Sequence, residues 1–117
     1  MTTNSLIEKK CKPCEGKVRP FSATEAEKYL IQTPGWTLDN VRNLIAREWA
    51  AKNFMEAVEF IRRVAGVAEA ENHHPDIHLT GYRRVRIELT THAINGLSEN
   101  DFIVAAKINQ LPIELKR

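Results

Sequence analysis

The chain has 117 residues, 43% of them hydrophobic and 27% charged, with a formal charge of +2; this is ordinary globular composition and excludes disordered and fibrous classes. One core of this length buries roughly 65% of the unfolded surface, so one domain is expected and staples are not required. So balanced a charge does not suit a phosphate-backbone binder, and no apolar run reaches the roughly 20 residues of a membrane span or forms a signal segment. A cytoplasmic protein with no nucleic-acid or membrane partner is therefore expected.

Residues 1–20 are polar and interrupted by Pro13 and Pro20, and read as an arm laid over a single domain spanning 21–117. The arm carries Cys11 and Cys14 as a C-x-x-C pair. No second pair follows at zinc-ribbon spacing, and the flanks lack the strand-to-helix setting of a redox pair. Incidental thiols, a metal shared with another chain and a labile disulfide all remain compatible with it.

Ser22 and Glu25 form a capping box that opens a helix over about 23–32, closed by Thr33-Pro34-Gly35. Trp36-Thr37-Leu38 begins a short strand, Asp39-Asn40 a turn, and Leu44 to Ala51 a return strand with Ile45, Trp49 and Ala51 on one side. Asn53 and Glu56 start the next helix, over about 54–72. Its apolar stripe is expected at Phe54, Val58, Ile61, Ala65 and Ala68, widened by Ala57 and Val64. After Pro75 the period changes to two: Ile77 and Leu79, then Val85, Ile87 and Leu89, alternate with polar residues on two strands around Gly81. Ser98 and Asp101 form a further capping box and open a helix over about 99–110, with Phe102, Ala105 and Ala106 inward. The order helix, strand, strand, helix, strand, strand, helix suits an α+β fold: a four-stranded antiparallel sheet with three helices packed on one face.

All four histidines fall between residues 73 and 92. Imidazole both gives and takes a proton near neutrality, so such a cluster points to acid–base work. His73 and His74 stand where the long helix ends, and His92 closes the last strand. Glu69 precedes His73 by four residues, the spacing of one helix face. Other readings fit the same residues. A helix C-terminus favours histidine through its dipole, Glu69 and His73 could be a surface pair, and Asp101 suits its capping position on structural grounds alone. His78 reads as a solvated residue on a polar strand face. Three histidines and a glutamate could also hold zinc or iron, although no H-E-x-x-H pattern is present.

The same residues resemble the pterin-4a-carbinolamine dehydratase family, in the pattern of its bacterial members. The family motif is an acidic residue, three positions, His-His-Pro, five or six positions, an aromatic, nine positions, a histidine, and at least eight positions to an aspartate. Glu69, His73-His74-Pro75, Tyr82, His92 and Asp101 fill every element, and the likeness extends over about residues 11–111. The resemblance implies dehydration of a 4a-hydroxytetrahydropterin to the quinonoid dihydropterin in tetrahydrobiopterin recycling, with no metal or redox cofactor. It implies proton transfer by His73 and His92, with Glu69 orienting and tuning His73. His74, Pro75, Tyr82 and Asp101 would hold the pterin. It also implies a homodimer or homotetramer and a functional link to an aromatic amino acid hydroxylase. The alternative within the same resemblance is a non-catalytic binding module, such as a cofactor of homeodomain transcription factors.

Overall fold

The structure, a computed structural model, describes residues 4–12 and 19–117. In chain order the elements are α1 (Asn4–Ile7), α2 (Ala23–Leu30), β1 (Thr37–Asp39), β2 (Leu44–Ala50), α3 (Phe54–Glu71), β3 (Asp76–Thr80), β4 (Arg84–Leu89), a 3₁₀ turn (His92–Ile94) and α4 (Glu99–Asn109). The strands form one antiparallel sheet in the order β1-β2-β4-β3. The expected α+β architecture is therefore present, with the short α1 and the 3₁₀ turn as additions.

The pleat explains why the sheet is dry on one face only. Pairings such as Ile45 with Leu89, Trp49 with Val85 and Ile77 with Ile87 put apolar residues on the helix side. The other face carries Glu48, Arg86, Glu88 and His78. There Glu88 receives Arg86 at 2.8 Å and Arg42 at 3.3 Å. The His78 ring is half exposed with Glu88 3.5 Å away, as its place on the polar face of β3 leads one to expect.

Helix α4 lies at the centre of the helical layer and packs against α1, α2 and α3. Phe102, Val104 and Ala105 are wholly buried, and Phe102 stacks on Phe21 and packs at a tilt against Tyr29, at centroid distances of 6.1 and 5.2 Å. The α2 capping box forms as read, Ser22 Oγ accepting from Glu25 N–H and Glu25 accepting from Ser22 N–H. Gly35 has φ +90°, and a Cβ there would lie 2.7 Å from the Arg47 guanidinium, so the Pro34-Gly35 turn requires glycine.

The expected stripe of α3 needs correction. The residues that face the core are Ala57, Phe60, Val64 and Ala68, whereas Phe54, Met55 and Val58 are exposed. Two apolar stripes overlap on this helix, and periodicity alone does not say which one meets the sheet. Contact between Phe60 and Trp49, with centroids 4.9 Å apart, selects the first. Of the expected stripe, Phe54 and Val58 stay outside, whereas Ala68 is buried and Ile61 packs partly against the core.

The arm is more than a covering tail. Leu6 is 1% exposed and belongs to the core, while Cys11 is half-buried. Cys11 N–H donates to Glu71 Oε1 at 2.8 Å, and Glu71 is ion-paired with Lys107 at 2.5 Å. Burial, then the neighbouring Glu71 carboxylate, pushes the Cys11 thiol up to about 12. Burial alone would raise Glu71. The Lys107 ammonium and the Cys11 N–H outweigh it and hold the carboxyl below its usual range. Cys14 lies outside the described residues.

Candidate active site

The site begins where α3 stops. Asn72 adopts the left-handed conformation (φ 51°, ψ 42°), its N–H bonds to Glu69 O, and His73 N–H bonds back to Ala68 O at 3.2 Å. That closure turns the backbone sharply and sends the two adjacent imidazoles in different directions. His73 enters the protein: its side chain is 12% exposed, and Nε2 lies 2.7 Å from Asp101 Oδ1. His74 turns outward, and its Nε2 lies 2.5 Å from Glu69 Oε2.

Glu69 thus pairs with His74, and the expectation that it orients His73 is corrected by this geometry. The four-residue spacing works only if the helix continues through His73, and it ends two residues earlier. Asp101 supplies the carboxylate for His73 instead. It is fully buried, so it is shielded from any ligand in the cleft, contrary to the expected pterin contact. Its Oδ2 accepts from Thr91 Oγ1 at 2.8 Å and from Ser98 N–H at 3.0 Å. The capping residue of α4 therefore also positions an imidazole. With Nε2–H donated to Asp101, Nδ1 of His73 is left to exchange a proton.

His92 comes from the other side. Strand β4 ends at Leu89, so His92 does not close it but opens the 3₁₀ turn, which Asn95 (φ 54°) terminates. Hydrogen bonds between Thr91 and Gly96 hold the base of this loop. His73, His74 and His92 then line one open cleft of ≈ 280 Å³, with Lys12, Thr90, Thr91 and Asn100 among its other wall residues. A larger hollow of ≈ 560 Å³ lies by Lys52, Arg83 and Glu114, but it contains no histidine. Among the described residues no three His, Cys, Asp or Glu side chains converge as the ligands of a metal ion would.

Beside Glu69 and Asp101, which stand behind the imidazoles, two further expected site residues lie outside this cleft. Pro75 is half-buried at the entry to β3 and is not part of the lining. Tyr82 occupies the turn joining β3 to β4, exposed, with φ 57° and its hydroxyl accepting from Arg83. It sits at the opposite end of that hairpin from His73 and His92, roughly 15 Å along the strands. Conversely, Lys12, Thr90, Thr91 and Asn100 were not expected. Thr91 had one available signal, its place directly before His92 at a strand end.

A carboxylate-backed imidazole and a second imidazole lining one small open cleft can both withdraw and deliver a proton. The fold and cleft thus define a small α+β domain equipped for acid–base chemistry on a compact polar substrate. The family sequence model described as Pterin 4 alpha carbinolamine dehydratase matches residues 19–111. A Methylococcus capsulatus protein named for pterin-4-alpha-carbinolamine dehydratase is 47% identical over 97% of this chain and 99% of its own. Pterin-4-alpha-carbinolamine dehydratase 2 of Arabidopsis thaliana, mitochondrial, is 48% identical over 93% of this chain and 60% of its own. A crystal structure from Brucella melitensis, described as a transcriptional coactivator/pterin dehydratase, superposes with a TM-score of 0.72 at 33% identity, covering 78% of this chain and 96% of that one. The chain belongs to the pterin-4a-carbinolamine dehydratase family.

Proposed function

We propose that this protein removes water from a 4a-hydroxytetrahydropterin to give the quinonoid dihydropterin, with His73 and His92 as the proton carriers. In that reaction the ring nitrogen next to carbon 4a loses its proton, its electrons form the carbon–nitrogen double bond, and the carbon–oxygen bond breaks. The departing hydroxyl takes up a proton and leaves as water. Substrate and product differ by water alone, so the step itself calls for no oxidant or reductant. What it requires is one acceptor and one donor placed on either side of the carbinolamine, a pairing typically worth 10²–10⁴-fold.

The observation that carries the reading is the His73–Asp101 contact at 2.7 Å beside His92 in one cleft. Asp101 stabilises the imidazolium that forms when His73 accepts a proton. His74, paired to Glu69 at the rim, supports a substrate-holding role. The test is turnover of carbinolamine by His73→Ala and His92→Ala. Each purified, folded variant should fall by about 10²-fold, and wild-type rates in both would remove the proton assignments.

The same reading extends to assembly and context. Phe54, Met55 and Val58 lie exposed on α3, and β3 is an edge strand, which supports a homodimer or homotetramer. No helix among the described residues is long and apolar enough to cross a membrane. A cytoplasmic site of action, recycling the pterin released by an aromatic amino acid hydroxylase, completes the proposal.

A further inference from the structure

The match to the family sequence model begins at residue 19, so residues 1–18 of the arm precede it. Terminal segments fray unless something ties them down, and the described part of this one, residues 4–12, is tied at Leu6, Lys9, Lys10, Cys11 and Lys12. Leu6 is buried, Lys9 pairs with Glu99 at 2.7 Å, and Lys10 Nζ reaches Ala70 O at 3.4 Å. Cys11 N–H reaches buried Glu71. At Lys12 the hold becomes two-sided. Asn100 Oδ1 accepts from Lys12 N–H at 3.0 Å, and Asn100 Nδ2 donates to Lys12 O at 2.5 Å.

Asn100 is itself 7% exposed, and its amide spends both ends on one backbone unit of the arm. A shift of the arm by one residue would break both bonds. The clamp therefore fixes the register of the arm and delivers one particular side chain to one particular place. That place is the histidine cleft, which Lys12 lines. Among the described residues its ammonium has no carboxylate partner, whereas Lys9 and Lys107 have theirs. A cation held in register on the wall of this cleft, with no carboxylate partner among the described residues, is equipped to donate hydrogen bonds to a ligand.

We propose that Lys12 is a substrate-binding residue, its ammonium donating to an acceptor oxygen of the bound pterin while Asn100 holds it in position. This rests on the dehydratase reading of the cleft. The oxygen belongs either to the ring or to a hydroxylated side chain of the substrate. Both present the same acceptor chemistry, and two substrates tell them apart.

The experiment uses the full chain, with Lys12→Met to retain the aliphatic stem and Lys12→Arg to restore the charge. Each is assayed with a 6-methyl carbinolamine and with one bearing a dihydroxypropyl group. Lys12→Met should raise KM about 10-fold with little change in kcat, and Lys12→Arg should recover most of the loss. A rise with both substrates identifies a ring oxygen; a rise confined to the hydroxylated one identifies the side chain. Asn100→Ala should raise KM in the same direction, and adding it to Lys12→Met should raise KM no further, since the two act as one unit. Calorimetric titration with a 7,8-dihydropterin bearing the dihydroxypropyl group, and so both candidate oxygens, gives a readout free of turnover, and Lys12→Met should weaken that binding by a similar factor. Unchanged KM for both substrates, or unchanged dihydropterin affinity, overturns the role of Lys12. A wild-type protein that binds dihydropterin through Lys12 yet turns over no carbinolamine would instead overturn the dehydratase reading and leave Lys12 standing.

Discussion

Replacing Asp101 by asparagine tests the buried dyad directly, because the site's donors dictate how the new amide must lie. Oδ2 of Asp101 faces Ser98 N–H, which can only donate, and Thr91 Oγ1; Oδ1 faces His73 Nε2. An amide has one oxygen, and the backbone N–H has first claim on it. The amide NH₂ is then left against His73, whose Nε2 must become an acceptor and whose proton must move to Nδ1. The ring survives in place but presents a donor where a base is needed. We expect Asp101→Asn to lower kcat by about 10²-fold or more, the lower bound for losing one positioned proton carrier. Three hydrogen bonds to a charged acceptor would become neutral ones, at roughly 1 kcal/mol each, so stability should fall by about 2–3 kcal/mol. Turnover is followed as carbinolamine disappearance, and ¹⁵N shifts of His73 should report the exchanged tautomer. Thr91→Val, which removes one bond to Asp101 without facing His73, is the matched control and should cost far less activity. A folded Asp101→Asn protein with wild-type kcat and an unchanged His73 tautomer would refute the reasoning.

Other expectations concern the core and the arm. Phe60→Ala removes a fully buried ring packed on Trp49 and should cost about 3–5 kcal/mol, measured by guanidinium unfolding. Glu71→Gln leaves the half-buried Lys107 without its counter-charge and should cost about 3 kcal/mol. Because Glu71 is held below its usual range in the fold, its contribution is full above the unfolded carboxyl value and fades as pH falls through the folded one. The Glu71→Gln protein should therefore lose part of the wild-type acid sensitivity. The Cys11 thiol, pushed up to about 12, should resist iodoacetamide at pH 8 in a folded Cys14→Ser background and react once the chain is unfolded. Since the fold favours the neutral thiol, that stabilisation is complete below the unfolded thiol value and is lost as pH climbs toward 12.

Strand positions and helix starts were legible because each was signalled locally, by alternation around Val85, Ile87 and Leu89 or by the Ser22, Asn53 and Ser98 caps. Choices between two equivalent local signals were not. Helix α3 carries two apolar stripes, and only contact with Trp49 decides between them. Glu69 had two histidines within reach, and the left-handed turn at Asn72 assigned it to His74. The motif placed Tyr82 by counting along the chain, yet the hairpin carries it away from the imidazoles. The arm's polar composition concealed Leu6, and nothing local marks Asn100 as the holder of Lys12.

The left-handed junction at Asn72 has a consequence for how long α3 can be. Neighbouring rings at His73 and His74 meet different fates, one against Asp101 and one against Glu69, solely because the helix unwinds at that residue. Adding or deleting a single residue just upstream would rotate the junction by about 100° and misdirect both rings, with the hydrophobic layer scarcely disturbed. Eighteen residues is thus a length measured in chemistry as well as in packing.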